Sequence, residues 1–261
     1  MHPILIHLGP LTLTAYGAAM SLAFLVAVGL ARHDTRHRLR GHAPLSEAEV
    51  ADWAIWAVVG GIVGGRFFYV VLNWETYALA PGEIVAVWHG GLIWYGGFLG
   101  GVAGTALYLR RRGAVFLRGA DQVIPFIAIG HAIGRLGCFA NGCCAGKPTS
   151  AWFGVVFPGE TQPVAPTQLF EAAGLLILFV LLRYLQTPSN LRRPGTVLGA
   201  YLIGYGLLRW GVEWWRANQP LVWHGWTLSQ LISVALALLG AGLVVSGRLC
   251  STDATPHASR R

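Results

Sequence analysis

Charge is what this 261-residue chain has least of. Asp, Glu, Lys and Arg together make up 11% of it, against about a quarter in a soluble domain. That scarcity excludes an ordinary water-soluble globule and makes a bilayer the expected solvent. Cysteine is scarce too: four residues are too few for a disulfide framework. Internal repeats and low-complexity tracts do not stand out, which counts against transporters built from inverted repeats. The opening MHPILIHLGPLTLTAYG has no basic n-region and no small-residue cleavage site, so it is read as part of the mature fold, not as a removable signal peptide. The formal charge of +8 raises nucleic acid as a partner. A surface of apolar helices leaves no face for a basic groove, so no nucleic acid is expected, and the excess is assigned to loops flanking a membrane.

Apolar residues are abundant, at 54% of the chain, with 35 glycines and 11 tryptophans. A spanning helix needs about 20 mostly apolar residues, and seven stretches qualify: 11–31, 51–72, 91–109, 120–138, 168–185, 195–214 and 226–246. The expected fold is all-α, a polytopic integral membrane protein with seven transmembrane helices in one domain over residues 1–250. A disordered cytoplasmic tail over 251–261 is expected to follow. Fourteen of the 19 basic residues fall in the first, third and fifth connections and the tail. The positive-inside bias makes that side cytoplasmic, with the N-terminus outside and the C-terminus inside. The connections around 74–88, 139–165 and 219–223 are then outside.

Five basic residues remain: Arg66, Arg135, Lys147, Arg209 and Arg216. Four of them lie inside or at the outer ends of spanning stretches, where each charge costs roughly 2.5–3.5 kcal/mol on insertion scales. They are candidates for function, the plainer alternative being that they snorkel or pair to lock helices together. Gly60 and Gly64, Gly61 and Gly65, and the run Gly96, Gly100, Gly104 place small residues four apart, a helix-packing signature. The seventh stretch reads as scaffold.

Chemistry concentrates in three places. Tyr205, Arg209 and Glu213 follow at intervals of four, with Arg216 three further on, all on one helix face. A structural Arg209–Glu213 pair is the alternative to a phosphate site there. The fourth stretch ends in HAIGRLGCFANGCCAGKP, which sets His131 four residues before Arg135 and leads into a glycine-punctuated turn with Asn141 and Gly146. Gln168 and Glu171 open the fifth stretch, while Tyr16 and Tyr95 add phenols. Cys138, Cys143 and Cys144 invite a metal-site reading. CxxxxCC is not a strong zinc pattern, and neighbouring cysteines suit one tetrahedral ion poorly. A disulfide between neighbours is strained. The expected role is soft packing with no bound metal.

These segments resemble the prolipoprotein diacylglyceryl transferase family, a class of seven-helix inner-membrane enzymes. The resemblance rests on LTAYG around Tyr16, GGRFFY around Arg66, GGLIWYGGFLGG around Tyr95, GRLGCFANGCCAGKP around Arg135, PTQLFE around Glu171 and YGLLRWGVEWWR around Arg209. It implies a multi-pass protein of the bacterial inner membrane with its site toward the periplasmic or outer face, amid membrane lipids. It implies a reaction without a cofactor: phosphatidylglycerol gives its diacylglyceryl group to the lipobox cysteine of a prolipoprotein signal peptide, and glycerol phosphate is released. Carried over by motif, Arg135 matches the essential phosphatidylglycerol-binding arginine. Arg209, Tyr205 and Glu213 match a second essential cluster, and Tyr16, Asn141 and Gly146 match further functional positions. Three departures stand out. Tyr95 occupies a position commonly held by histidine, the usual candidate for handling the thiol proton, and Cys138 and Cys143 stand where many members have Asn and Glu.

The expected mechanism has Arg135 and Arg209 gripping the headgroup phosphate, with Glu213 and Tyr205 orienting Arg209. Tyr95 is a candidate for handling the thiol proton, with His89 and His131 as rivals. Arg66, Glu171 and His89 are expected to help bind substrate. The alternatives are a membrane transporter, since buried charges also mark transport pathways, and a non-catalytic paralogue that binds phosphatidylglycerol.

Overall fold

The computed structural model describes residues 4–8, 11–217 and 219–252. A hairpin of β1 (Ile4–Leu8) and β2 (Leu11–Thr14) leads into α1 (Ala15–His37). The first helix therefore starts later than hydropathy alone suggests. Residues 11–14, LTLT, alternate leucine with β-branched threonine, a strand pattern, and Thr14 Oγ1 then accepts from Gly17 N at 3.0 Å as an N-cap. The second helix, α2 (Glu47–Leu72), starts earlier than the apolar run because Ser46 and Glu49 form a capping box ahead of it.

The chain continues through α3 (Trp74–Leu79), two short 3₁₀ turns (Pro81–Val85 and Val87–His89), α4 (Trp94–Arg111), α5 (Phe116–Ala140) and α6 (Thr167–Leu185). The one-turn α7 (Pro188–Leu191), α8 (Thr196–Glu213), a second hairpin of β3 (Leu221–Trp223) and β4 (Trp226–Thr227), and α9 (Leu228–Thr252) complete it. The seven long helices correspond one to one with the seven expected stretches. Of these, α1, α2, α5, α6 and α9 have the length and composition to cross a membrane, while α4 and α8 are shorter at 18 residues each. The protein is thus a polytopic membrane protein, helical apart from its two small hairpins. Helix α9 runs through Ser251 and Thr252, the first two residues of the expected tail, and 253–261 lie outside the described residues.

Helix α5 sits at the centre: half of its most apolar window is buried inside the protein, against 11% for α1, so most other helices turn a broad face to lipid. Helix α5 packs against α1 and α6, α8 against α9, and α2 against α4. The last crossing runs through glycines. A Cβ on Gly96 would lie 2.6 Å from Gly64 O, and one on Gly104 2.6 Å from Trp56 O. Gly60, Gly64 and Gly100 meet backbone just as closely. Gly61 and Gly65 approach nothing nearer than 3.4 Å, so of the paired glycines only Gly60 and Gly64 make the tight seam.

Candidate active site at the ends of α5, α6 and α8

The long helices alternate in direction, so the C-terminal ends of α5 and α8 and the N-terminal end of α6 meet at one end of the bundle. Glu171, on the first turns of α6, is fully buried and is the hub. Arg135 Nη2 pairs with Glu171 Oε1 at 3.0 Å, Tyr205 donates its hydroxyl to the same oxygen at 3.1 Å, and His131 Nε2 lies 3.7 Å away. One carboxylate thus gathers residues of α5, α6 and α8. The sequence expectation that Tyr205 orients Arg209 is corrected here: its hydroxyl serves Glu171 and, through it, Arg135. The spacing of four along α8 shows a shared face but not which neighbouring helix that face meets.

Glu213, also buried, carries the second pair. Arg209 Nη1 stands 2.8 Å from Glu213 Oε2, and Arg209 Nη2 donates to Ser229 Oγ at 3.0 Å. Thr227 donates to Glu213 Oε1 at 2.8 Å, and Gln230 Oε1 accepts from Thr227 N at 3.0 Å. Thr227, Ser229 and Gln230 open α9, the helix expected to be mere scaffold. Three polar residues in four at the head of an apolar run were the available signal. Tyr205 and His131 lie within the field of both Arg135 and Arg209, so the two clusters form one site.

The donors do not all find acceptors. Arg135 Nε, Arg209 Nη1 and Arg216 Nε are buried without a hydrogen-bond partner; the 2.8 Å contact to Glu213 brings opposite charges together without aligning the N–H on the carboxylate. Buried donors of charged groups are normally satisfied, and three unmatched guanidinium donors at one end of a bundle suit an anion. Beside Arg216 opens a cavity of about 410 Å³ whose lining also includes Lys147, Glu213, Trp226 and Gln230.

The connection after α5 is held in place by backbone contacts. Gly146 N donates to Ala165 O at 2.8 Å, and Lys147 N to Trp215 O at 2.8 Å. A Cβ on Gly146 would meet Ala165 O at 2.8 Å, so the glycine is required by close approach. Thr167 Oγ1 donates to Cys144 O at 2.8 Å, and Gln168 Nε2 donates to Cys143 O. Asn141 caps α5 through its backbone, N to Gly137 O at 2.9 Å. Tyr16, on α1, rests on Gly137. The sulfurs of Cys138, Cys143 and Cys144 lie within 4.8 Å of one another. The Cys144 thiol is pushed down to about 5, chiefly by a hydrogen bond from Cys138, with Cys143 and the guanidiniums of Arg216 and Arg135 adding to it.

Three expected site residues stand elsewhere. Arg66 is buried, and its guanidinium is occupied by backbone carbonyls: Nε donates to Ile84 O at 2.9 Å, Nη1 to Gly90 O at 2.6 Å and Nη2 to Glu83 O at 2.5 Å. It ties the connection between α3 and α4 to α2, as the helix-locking alternative expects. His89 is exposed and pairs with Glu83 through Nδ1 at 2.8 Å. Tyr95, on the first turn of α4, is 57% exposed with Trp94 against its ring. Among the described residues no hydrogen bond, ion pair or ring contact joins His89 or Tyr95 to Arg135, Glu171 or Arg209.

The architecture and this site together define a class: a polytopic membrane protein with paired guanidinium–carboxylate clusters buried at one end. The sequence profile of the prolipoprotein diacylglyceryl transferases matches residues 3–246, and the chain belongs to that family. Among its relatives is the phosphatidylglycerol–prolipoprotein diacylglyceryl transferase of Rhodospirillum rubrum, 36% identical over 264 residues that cover 97% of this chain and 95% of the relative. The protein of that name from Synechococcus elongatus is 34% identical over 255 residues, 93% and 86% of the two chains. The one from Gluconacetobacter diazotrophicus is 32% identical over 257 residues, 95% and 90%.

Proposed function

We propose that the chain transfers the diacylglyceryl group of phosphatidylglycerol to the lipobox cysteine of prolipoproteins, the first step of lipoprotein maturation. The observation that carries the site assignment is the set of unmatched, buried donors on Arg135, Arg209 and Arg216. A phosphodiester held by planar guanidinium forks gains bidentate hydrogen bonds, and those bonds strengthen as the leaving phosphate takes up charge. Glu171 and Tyr205 position Arg135, while Glu213, Ser229 and Thr227 position Arg209. Tyr16, Asn141 and Gly146 shape the approach from the end of α5.

In this reading all seven long helices cross a bacterial inner membrane, with the N-terminus outside and the C-terminus in the cytoplasm. The positive-inside bias supports it: Arg32, Arg36, Arg38, Arg110, Arg111, Arg183 and Arg192 all fall at the end of the bundle opposite the site. The site then faces the periplasmic or outer side, where lipobox signal peptides arrive. The substrates are phosphatidylglycerol and prolipoprotein signal peptides, with membrane lipids around them.

The test is to incubate the purified chain with phosphatidylglycerol labelled in its glycerols and a lipobox peptide. Thioether-linked peptide and free glycerol phosphate are expected in equal amounts. Bound label with no product would sink the transferase reading and leave a lipid-binding protein.

A further inference from the structure

The reaction proposed above makes no use of Cys138, Cys143 and Cys144, which are free thiols with sulfurs within 4.8 Å of one another. The backbone reverses to bring them together: Gly142 has φ 74° and Cys144 φ 67°, which folds the turn back over the end of α5. A left-handed non-glycine residue persists where its surroundings enforce it. Here Thr167 and Gln168, which open α6, anchor the carbonyls of Cys144 and Cys143. Cys138 lies one helical turn beyond Arg135 on the same face of α5.

The three thiols differ in reach: Cys138 is buried, Cys143 partly so and Cys144 exposed. The Cys144 thiol is drawn toward its anion by hydrogen bonds with Cys138 and Cys143 and by the guanidiniums of Arg216 and Arg135. A thiolate is the form that attacks a disulfide, and an exposed one beside a second thiol has the arrangement of an attacking and a resolving cysteine. The pairing follows by elimination. Neighbouring Cα atoms are about 3.8 Å apart, short of the roughly 4.4–6.8 Å that a disulfide spans, so Cys143 and Cys144 do not join each other. The Cys143 thiol is turned to Cys138 O at 3.6 Å, which leaves the Cys138 sulfur to Cys144. We propose that Cys138 and Cys144 form a reversible disulfide that switches the neighbouring transfer site off. This rests on the transferase reading, which puts the cluster at the outer face, where disulfides persist.

The oxidant is an external disulfide. The Cys144 thiolate, its proton given to water, attacks one sulfur of that disulfide, forms a mixed disulfide and expels a thiolate. Cys138 then loses its proton and attacks the Cys144 sulfur, and the second thiolate leaves with the electron pair of the broken S–S bond. In all, two electrons and two protons pass from the cysteines, and the oxidant departs as two thiols. Closing the bond draws the sulfurs to about 2.05 Å, which pulls the turn onto α5 and its carbonyls away from Thr167 and Gln168. Glu171, on the same first turns of α6, holds Arg135 at 3.0 Å, so the displacement reaches the arginine that grips the phosphate. Such a switch departs from the soft-packing role expected of these cysteines.

The test treats the full chain in detergent with oxidised glutathione, then removes the oxidant so that the lipobox thiol is spared. Peptide mapping should find Cys138 linked to Cys144. Transfer should fall by roughly 10²-fold, as when a catalytic group is misplaced by about 1 Å, and dithiothreitol should restore it. Cys144→Ser should transfer at one rate before and after the treatment. A glutathione adduct without the link, a link between Cys138 and Cys143, or the expected link with undiminished transfer each overturns the switch and leaves the transferase reading intact. A reduced, unsubstituted chain that transfers nothing overturns the transferase reading itself, whether or not the link forms.

Discussion

At the basic end of the bundle, Asp34 on α1 meets Arg38 at 3.1 Å and Arg183 of α6. Gln186 accepts from Arg38 at 2.7 Å and donates to Gln122 O at 2.7 Å. Gln122 in turn takes Leu45 N at 2.7 Å and gives to Thr35 at 2.7 Å. Asp121 accepts from Gly195 N and Leu198 N, both at 2.7 Å, and so fastens the start of α8 to α5. Among the described residues, none of the buried side-chain atoms in this network is left without a partner; the unmatched buried groups at that end, Trp53 Nε1 and Thr196 Oγ1, are neutral. At the opposite end the guanidiniums of Arg135, Arg209 and Arg216 each keep a buried donor unmatched. Both ends bury charge. A satisfied network holds helices together, while an incomplete one is built to be completed by something else.

The comparison is broken most severely by removing a partner from the complete network. Asp34→Ala leaves Arg183 and Arg38 without their carboxylate and should lower stability by about 3–5 kcal/mol, read as earlier thermal unfolding in detergent. The fraction that remains folded should transfer at the normal rate. The converse is expected of Arg135→Lys or Arg209→Lys, which keep a cation beside the buried Glu171 or Glu213 but lose the planar fork: a loss of roughly 10²–10³ in turnover, as for removal of one donor to a developing oxyanion, with near-normal unfolding. If Arg135→Lys unfolds as readily as Asp34→Ala, the two ends do not differ in kind.

A smaller effect is expected at the α2–α4 crossing, which belongs to neither end. Gly100→Ala places a methyl 2.8 Å from Gly64 Cα and should cost about 1–3 kcal/mol of stability as overpacking. Thermal unfolding beside a Gly61→Ala control, whose Cβ would sit at ordinary contact distance of 3.4 Å, reads it out. Equal losses in the two variants would show that the seam is not where the helices touch most closely.

Much of this was legible in the sequence, and what was not has a physical cause. Seven apolar runs mark the seven long helices, five of which have the length and composition to cross a membrane, where backbone must satisfy itself within the segment. Their ends were misjudged where capping chemistry, at Thr14 and Ser46, overrides hydropathy. Arg135 and Arg209 stood out because charge in an apolar run is costly. Their partners did not: the pairing of Arg135 with Glu171, 36 positions along the chain, depends on which faces of α5 and α6 meet, and spacing along one helix cannot report that. The same blindness tied Tyr205 to Arg209 instead of Glu171, and hid the polar head of α9. Arg66 looked like Arg135 in sequence, yet it is surrounded by carbonyls of a connection whose path hydropathy does not fix.

Within the incomplete end, the finest distinction is between phenols. Tyr205→Phe deletes one hydrogen bond to a buried carboxylate. Such a bond contributes about 0.5–1.5 kcal/mol, so the loosened Arg135 should slow transfer by up to about tenfold. Tyr95→Phe should change almost nothing. Its ring lies against Trp94 on a helix paired with α2, 57% exposed, away from Arg135, Glu171 and Arg209. Turnover measured for both variants from pH 6 to 9 decides between them. A loss at Tyr95 that deepens with pH would place that phenol in the proton path and move the chemistry toward α4, whereas a loss confined to Tyr205 and flat across pH fits a residue that only holds Glu171 and Arg135 in place.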